Sequence, residues 1–259
     1  MLEIHHGAAP LIVSMPHTGT EIPPDIEARL VSPWLARKDA DWHVEKLYAF
    51  ARDLGASVIR TTVSRSVIDC NRDPGGASLY PGQATTELCP TTTFDGEPLY
   101  KSQPPDADEI AERRRNWFDP YHAAIAEEIG RYKKVVLFDA HSIRSAIPRL
   151  FDGELPNLNI GTNGGASCDA ALTRAMERVD GPFSKIVNGR FKGGWTTRHY
   201  GDPARGVHAI QLELACRGYM DEPDPVTPRN WPTAFDDERS ADLRAVLREI
   251  LKSCLQFVE

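Results

Sequence analysis

The chain has few cysteines, no long apolar run and no excess of basic residues, and each shortage removes a class of protein. Cys70, Cys89, Cys168, Cys216 and Cys254 are scattered over 259 residues with no Cys-x-x-Cys pair. That disfavours a disulfide framework or a cysteine-only zinc site and fits reduced thiols in a cytoplasm. No stretch approaches the roughly 18 apolar residues of a spanning helix. The opening residues, MLEIHHGAAPLIVSM, lack the basic start and long apolar run of a secretory signal or anchor. Asp plus Glu number 37 against 30 Lys plus Arg, a formal charge of −7. A general nucleic-acid surface needs a basic excess to displace counterions, so neither nucleic acid nor a membrane is an expected partner.

What remains is ordinary globular composition, 41% hydrophobic and 26% charged, in a chain long enough for one large domain spanning residues 1–259. Apolar strand candidates alternate with amphipathic helix candidates, the signature of an α/β protein with a mixed, largely parallel sheet flanked by helices. PLIVSM predicts a first strand, turning at Pro16 to Gly19. Leu47, Phe50, Ala51 and Leu54 fall at helical spacing, with Gly55 at the C-cap position. SVIRTT and SVIDC read as short strands. Residues 72–105, dense in Pro, Gly and Thr, read as a long loop, and Tyr80, Phe94 and Tyr100 suggest that it packs down. A helix over about 106–132, interrupted near Pro120, leads to the strand VVLFDAHS. An irregular stretch over 142–165, a helix near 169–179, the loop GRFKGGWTTRHYGDP, the strand HAIQLEL and a helix over 236–257 complete the pattern.

The strand candidates end on unusual chemistry. The first delivers His17, SVIDC delivers Asp69 with Asn71 and Arg72 beyond it, VVLFDAHS delivers Asp139 and His141, and HAIQLEL carries Glu213. Ligands of open α/β sheets sit beyond the carboxyl ends of strands, so these groups converge where a site belongs. Two histidines, a carboxylate and an open position are the usual ligands of hydrolytic zinc. His17 and His141 are the best-placed pair, against the alternative that each is a hydrogen-bonded structural histidine. His5 and His6 read as surface residues, His43 and His122 as packing residues, and His199 and His208 lie in or beside a loop able to reach the site. For the third ligand, Glu21 and Asp41 compete, Asp41 having an N-cap as its alternative. Asp139 can instead orient a ligating histidine. Glu213 in an apolar strand suggests a general base, or a structural acid paired with Arg217. Arg65, Arg72, Arg144, Arg149, Arg190 and Arg198 surround these segments, and guanidinium pairs with carboxylate, so the expected partner is a small acidic substrate carrying a hydrolysable bond.

Five motifs, SMPHTGTEIP, SRSVIDCNRDPGG, LYPGQATTELCPTTTFDGEPLY, DAHSIRSAIPRLFDGELPNLNIGT and GGWTTRHYGDPARGVHAIQLELACRGYM, resemble the N-formylglutamate amidohydrolase family from Pro10 to about Met220. The resemblance implies a zinc-carboxypeptidase-like α/β fold and a metal-dependent hydrolase of histidine catabolism that splits N-formyl-L-glutamate into formate and L-glutamate. It implies one divalent ion, zinc, held by His17, His141 and, at the aspartate of the family pattern, Asp41, with Glu21 second. The wider superfamily carries its glutamate ligand three residues after the first histidine, where this chain has Thr20. Glu213 is implied as general base, Arg65 as the carbonyl-polarising group, and Asn71 with Arg72 as the carboxylate pair, helped by Arg144 or Arg190. A cytoplasmic monomer or homodimer is expected. Other N-acyl amino acids or small peptides as substrates, and an inactive protein that binds an acidic metabolite, are the alternatives.

Overall fold

The computed structural model describes residues 2–79 and 81–259. Seven strands form one sheet: β1 (Leu2–His5), β2 (Leu11–Met15), β3 (Ser57–Thr61), β4 (Val135–Ile143), β5 (Leu158–Gly161), β6 (Lys185–Val187) and β7 (Val207–Ala215). Their order is β1-β3-β2-β4-β7-β5-β6. The centre, β3-β2-β4-β7, is parallel, β1 and β5 join it antiparallel, and β6 runs parallel to β5. The expected mixed, largely parallel sheet with flanking helices is therefore present.

Parallel strands covered on both faces read as continuous apolar runs rather than alternating ones. One face takes Leu11, Val13, Met15, Val136, Phe138, Ala140, Ile210, Leu212 and Leu214, against the helix Ala241–Val258 and Leu172 and Met176 of the helix Ala170–Glu177. The opposite face takes Ile12, Ile59, Val135, Leu137 and Ala209, against Tyr121, Ala124 and Ile125 of the helix Asp119–Gly130. On this second face the two longest strands change chemistry towards their carboxyl ends. Leu137 is succeeded at period two by Asp139 and His141, and Ala209 by Gln211 and Glu213, with His141 opposite Glu213 in register. Apolar core thus becomes a polar site along the same side-chain rows.

Several local expectations change. SVIDC forms turns rather than a strand, because residues 64–72 fold on themselves through Val67 N–H to Ser64 O and Arg72 N–H to Asp69 O. Strand β1 precedes the predicted first strand, β5 lies inside the stretch read as irregular, and Trp195–Tyr200 is a short helix inside the predicted loop. The C-terminal helix starts at Ala241, and the helix before β4 is interrupted by a π-turn over Arg114–Phe118. Among its described residues the 72–105 segment contains no helix or strand, and its Phe94 and Tyr100 are buried; Tyr80 lies outside the described residues. All five cysteines are buried and free. Among the described residues no helix is long and apolar enough to cross a membrane.

Candidate active site

His17 lies in the turn after β2, His141 on β4, and Asp41 in a turn whose N–H donates to His17 O at 3.0 Å. All three side chains are buried and offer atoms that can hold a metal ion. His141 Nδ1 stands 3.1 Å from His17 Nδ1 and 3.1 Å from Asp41 Oδ2, and His17 Nδ1 lies 3.6 Å from that oxygen. A tetrahedral ion with bonds near 2.1 Å separates its ligand atoms by about 3.4 Å, so the triangle has the size a metal requires.

The rear of each histidine is fixed. His17 Nε2 lies 2.7 Å from Asp69 Oδ1, and His141 Nε2 lies 3.0 Å from Asp139 Oδ2 and 2.9 Å from Asn71 Nδ2. The carboxylates behind the Nε2 atoms orient both rings with Nδ1 towards Asp41, the carboxylate–histidine arrangement typical of metal sites. Asp41 Oδ2 also accepts the Ser142 backbone N–H at 3.1 Å. Burial pushes the Asp41 carboxyl up, but His17 and His141 outweigh it and hold the group below the ordinary aspartate range. Burial likewise raises Asp69, which Arg72, His17 and Arg65 nevertheless hold well below its usual value. Anionic oxygens around paired imidazoles suit a bound cation.

The triangle opens into a pocket lined by His17, His141, Glu213, Arg65, Arg72 and Arg190, with Asn71, Gln211 and Phe94 among the remaining walls. Glu213 Oε2 accepts Gln211 Nε2–H at 3.0 Å. Burial is the main reason its carboxyl is pushed up, to about 7. Arg217 is not its partner, being paired with Glu154 at 2.8 Å. Arg65 reaches Asp69 at 2.7 Å and Asp41 at 3.5 Å. Arg72 Nε donates to Thr86 O, and Arg190 Nε to Leu150 O, and both side chains line the pocket. Asn71 gives one amide N–H to Asp139 Oδ2 at 3.0 Å and accepts Thr196 N–H at 2.8 Å. Gly194 packs so closely that an added Cβ would stand 2.3 Å from Asn71 Nδ2.

Two expected residues stand apart. Glu21 is exposed and accepts Thr62 Oγ1–H at 2.6 Å, outside the triangle, because the chain turns away at Gly19 and bridges to Val63. Arg144 does not line the pocket; it pairs with Asp39 at 3.3 Å and Asp95 at 2.6 Å. His122 bonds Cys70 O, His199 stacks on Trp195 at 4.1 Å, and His208 accepts Asp169 N–H, none of them in the pocket.

The model of the N-formylglutamate amidohydrolase family matches residues 9–220. The chain belongs to that family. It is 47% identical to an N-formylglutamate deformylase of Pseudomonas aeruginosa over 99% of this chain and 97% of the relative. It is 44% identical to an N-formylglutamate deformylase of Pseudomonas putida over 99% and 96%. The fold matches a crystal structure of N-formylglutamate amidohydrolase from Ralstonia eutropha with TM-score 0.81 and 24% identity, covering 99% of this chain and 97% of that one.

Within this N-formylglutamate amidohydrolase family member, sequence reasoning passed over Gln211 and the pairing of Asp69 with His17. Gln211 was detectable only by its place two residues before Glu213 on the same strand face. It accepts Gly194 N–H at 2.7 Å, which turns its NH2 towards Glu213.

Proposed function

We propose that the whole chain, as one catalytic domain in the cytoplasm, hydrolyses N-formyl-L-glutamate to formate and L-glutamate in histidine degradation. The supporting observation is the buried His17, Asp41 and His141 triangle, opening into a pocket where Glu213 and three arginines meet. These three residues hold one divalent ion, zinc, which suits two imidazoles and a carboxylate. When bound, the ion supplies Lewis acidity that lowers the pKa of an adjacent water towards about 7 and polarises the formyl carbonyl.

Glu213 takes the proton from water as it adds to the formyl carbon and returns it to the departing glutamate nitrogen. Gln211, occupying Oε2, leaves Oε1 of Glu213 for that transfer. Arg65 stabilises the negative charge that develops on the formyl oxygen. Arg72, Asn71 and Arg190 hold the substrate carboxylates, where charge-assisted bonds give both affinity and orientation. Comparing product release from N-formyl-, N-acetyl- and N-succinyl-L-glutamate tests the substrate assignment. Turnover of the formyl compound alone is expected, and faster turnover of a larger acyl group would refute it.

A further inference from the structure

Arg144, though outside the pocket, sits at the centre of an ion network that ends on a pocket residue. Residues 91–99 form a tight hairpin closed by Leu99 N–H to Thr91 O and Gly96 N–H to Thr93 O, with Gly96 at φ +90. At its tip Phe94 turns inward, and the Arg65 guanidinium lies 4.7 Å from the centre of its ring. Four residues anchor that tip. Phe94 N–H donates to Asp39 Oδ2 at 2.7 Å. Arg144 bridges Asp39 Oδ1 and Asp95 Oδ2. Lys38 reaches Asp95 at 2.6 Å and Glu97 at 2.5 Å. Arg149 Nη1 donates to Phe94 O at 3.4 Å. Asp39, Arg144 and Lys38 are largely withdrawn from water, where ion pairs hold geometry more firmly than surface pairs.

We infer that Arg144, through Asp39 and Asp95, is a positioning residue that locks the 91–99 hairpin so that Phe94 fixes the Arg65 guanidinium at the pocket wall. A guanidinium on an aromatic face gains cation–π attraction and loses rotational freedom. Asp69 and Asp41 pair with the Arg65 guanidinium, and Phe94 adds an aromatic face against it. A group that stabilises transition-state charge acts through exact placement, so loosening its support lowers turnover more than substrate affinity.

This role presupposes the hydrolase activity proposed above. Its test is a double-substitution cycle in zinc-loaded protein, reading kcat and KM for formate release, with zinc per chain measured in every variant. Arg144→Met is expected to lower kcat about tenfold with KM within about twofold and zinc content unchanged, and Arg144→Lys to recover part of the loss. In an Arg65→Met background the same Arg144→Met change is expected to add less than about twofold, because its effect passes through Arg65. Phe94→Leu, which leaves the ion network intact, repeats the cycle if Arg144→Met does not fold. An unchanged kcat in Arg144→Met, or equal losses in both backgrounds, overturns the positioning role. No formate release by the unsubstituted protein overturns the hydrolase activity and the positioning role together.

Discussion

His141 and Glu213 are register partners on β4 and β7, side by side on one face of the sheet. An imidazole of the His17–Asp41–His141 triangle and a buried carboxylate are thereby held together by backbone hydrogen bonds rather than by loop conformation, which sets Glu213 where the proposed mechanism needs a proton acceptor. Glu213→Gln removes the acceptor and keeps the shape. It is expected to lower kcat about 10²- to 10⁴-fold while zinc content stays unchanged; steady-state kinetics with metal analysis checks this.

The same carboxylate predicts a pH dependence. Only ionised Glu213 accepts a proton, so kcat/KM falls as pH drops through its pKa. Burial sets that value at about 7, and a neighbouring divalent cation lowers it. The acidic limb of the profile is therefore expected at or below about pH 7, and a rate that does not fall as pH drops, down to the onset of acid unfolding, would exclude Glu213 as base.

Stability follows with the opposite sign. The folded-state pKa of Glu213 lies above its ordinary value of 4.5. Its favourable contribution is therefore complete below about pH 4.5 and is lost as pH rises through about 7. In metal-free protein Glu213→Gln is expected to be more stable than the parent at pH 8, by up to about 3 kcal/mol at roughly 1.4 kcal/mol per pK unit, and the difference to shrink to about 1 kcal/mol or less at pH 5. Urea unfolding at both pH values measures it.

Metal affinity separates the triangle from its surroundings. His17→Ala, His141→Ala and Asp41→Ala are expected to abolish stoichiometric zinc binding. Asp69→Asn and Asp139→Asn, which alter the carboxylates behind the histidines without removing a ligand of the triangle, are expected to weaken it about 10- to 100-fold. Glu21→Gln is expected to leave it unchanged, since Glu21 bonds Thr62 at the surface. Competition with a chelating dye provides the constants.

Arg72→Met and Arg190→Met are each expected to raise KM for N-formyl-L-glutamate about 10- to 100-fold, the worth of a hydrogen bond to a charged group. Arg144→Met is expected to leave KM within about twofold, because its guanidinium faces Asp39 and Asp95.

Much of the site could be seen in the sequence because β4 and β7 are buried on both faces. There, Asp139, His141 and Glu213 interrupt apolar runs, and interruptions in buried strands need a reason. Asp41 versus Glu21 could not be decided that way. Asp41 comes from a turn brought to His17 by tertiary hydrogen bonding, and local spacing carries no record of it. SVIDC looked like a strand because its residues are β-formers, yet the local turn bonds from Ser64 prevail. β5 and β6 are short, at four and three residues, too brief for a periodic pattern to stand out. Arg144 reads like any other arginine near the site; only the fold shows its charge already matched by two aspartates.

Formate release from N-formyl-L-glutamate by metal-stripped protein, before and after titration with zinc, tests the central claim most directly. Negligible release without metal, rising with added zinc to a plateau at one ion per chain, is the predicted result. Full release by metal-stripped protein, or none at any zinc concentration in folded protein, would contradict it.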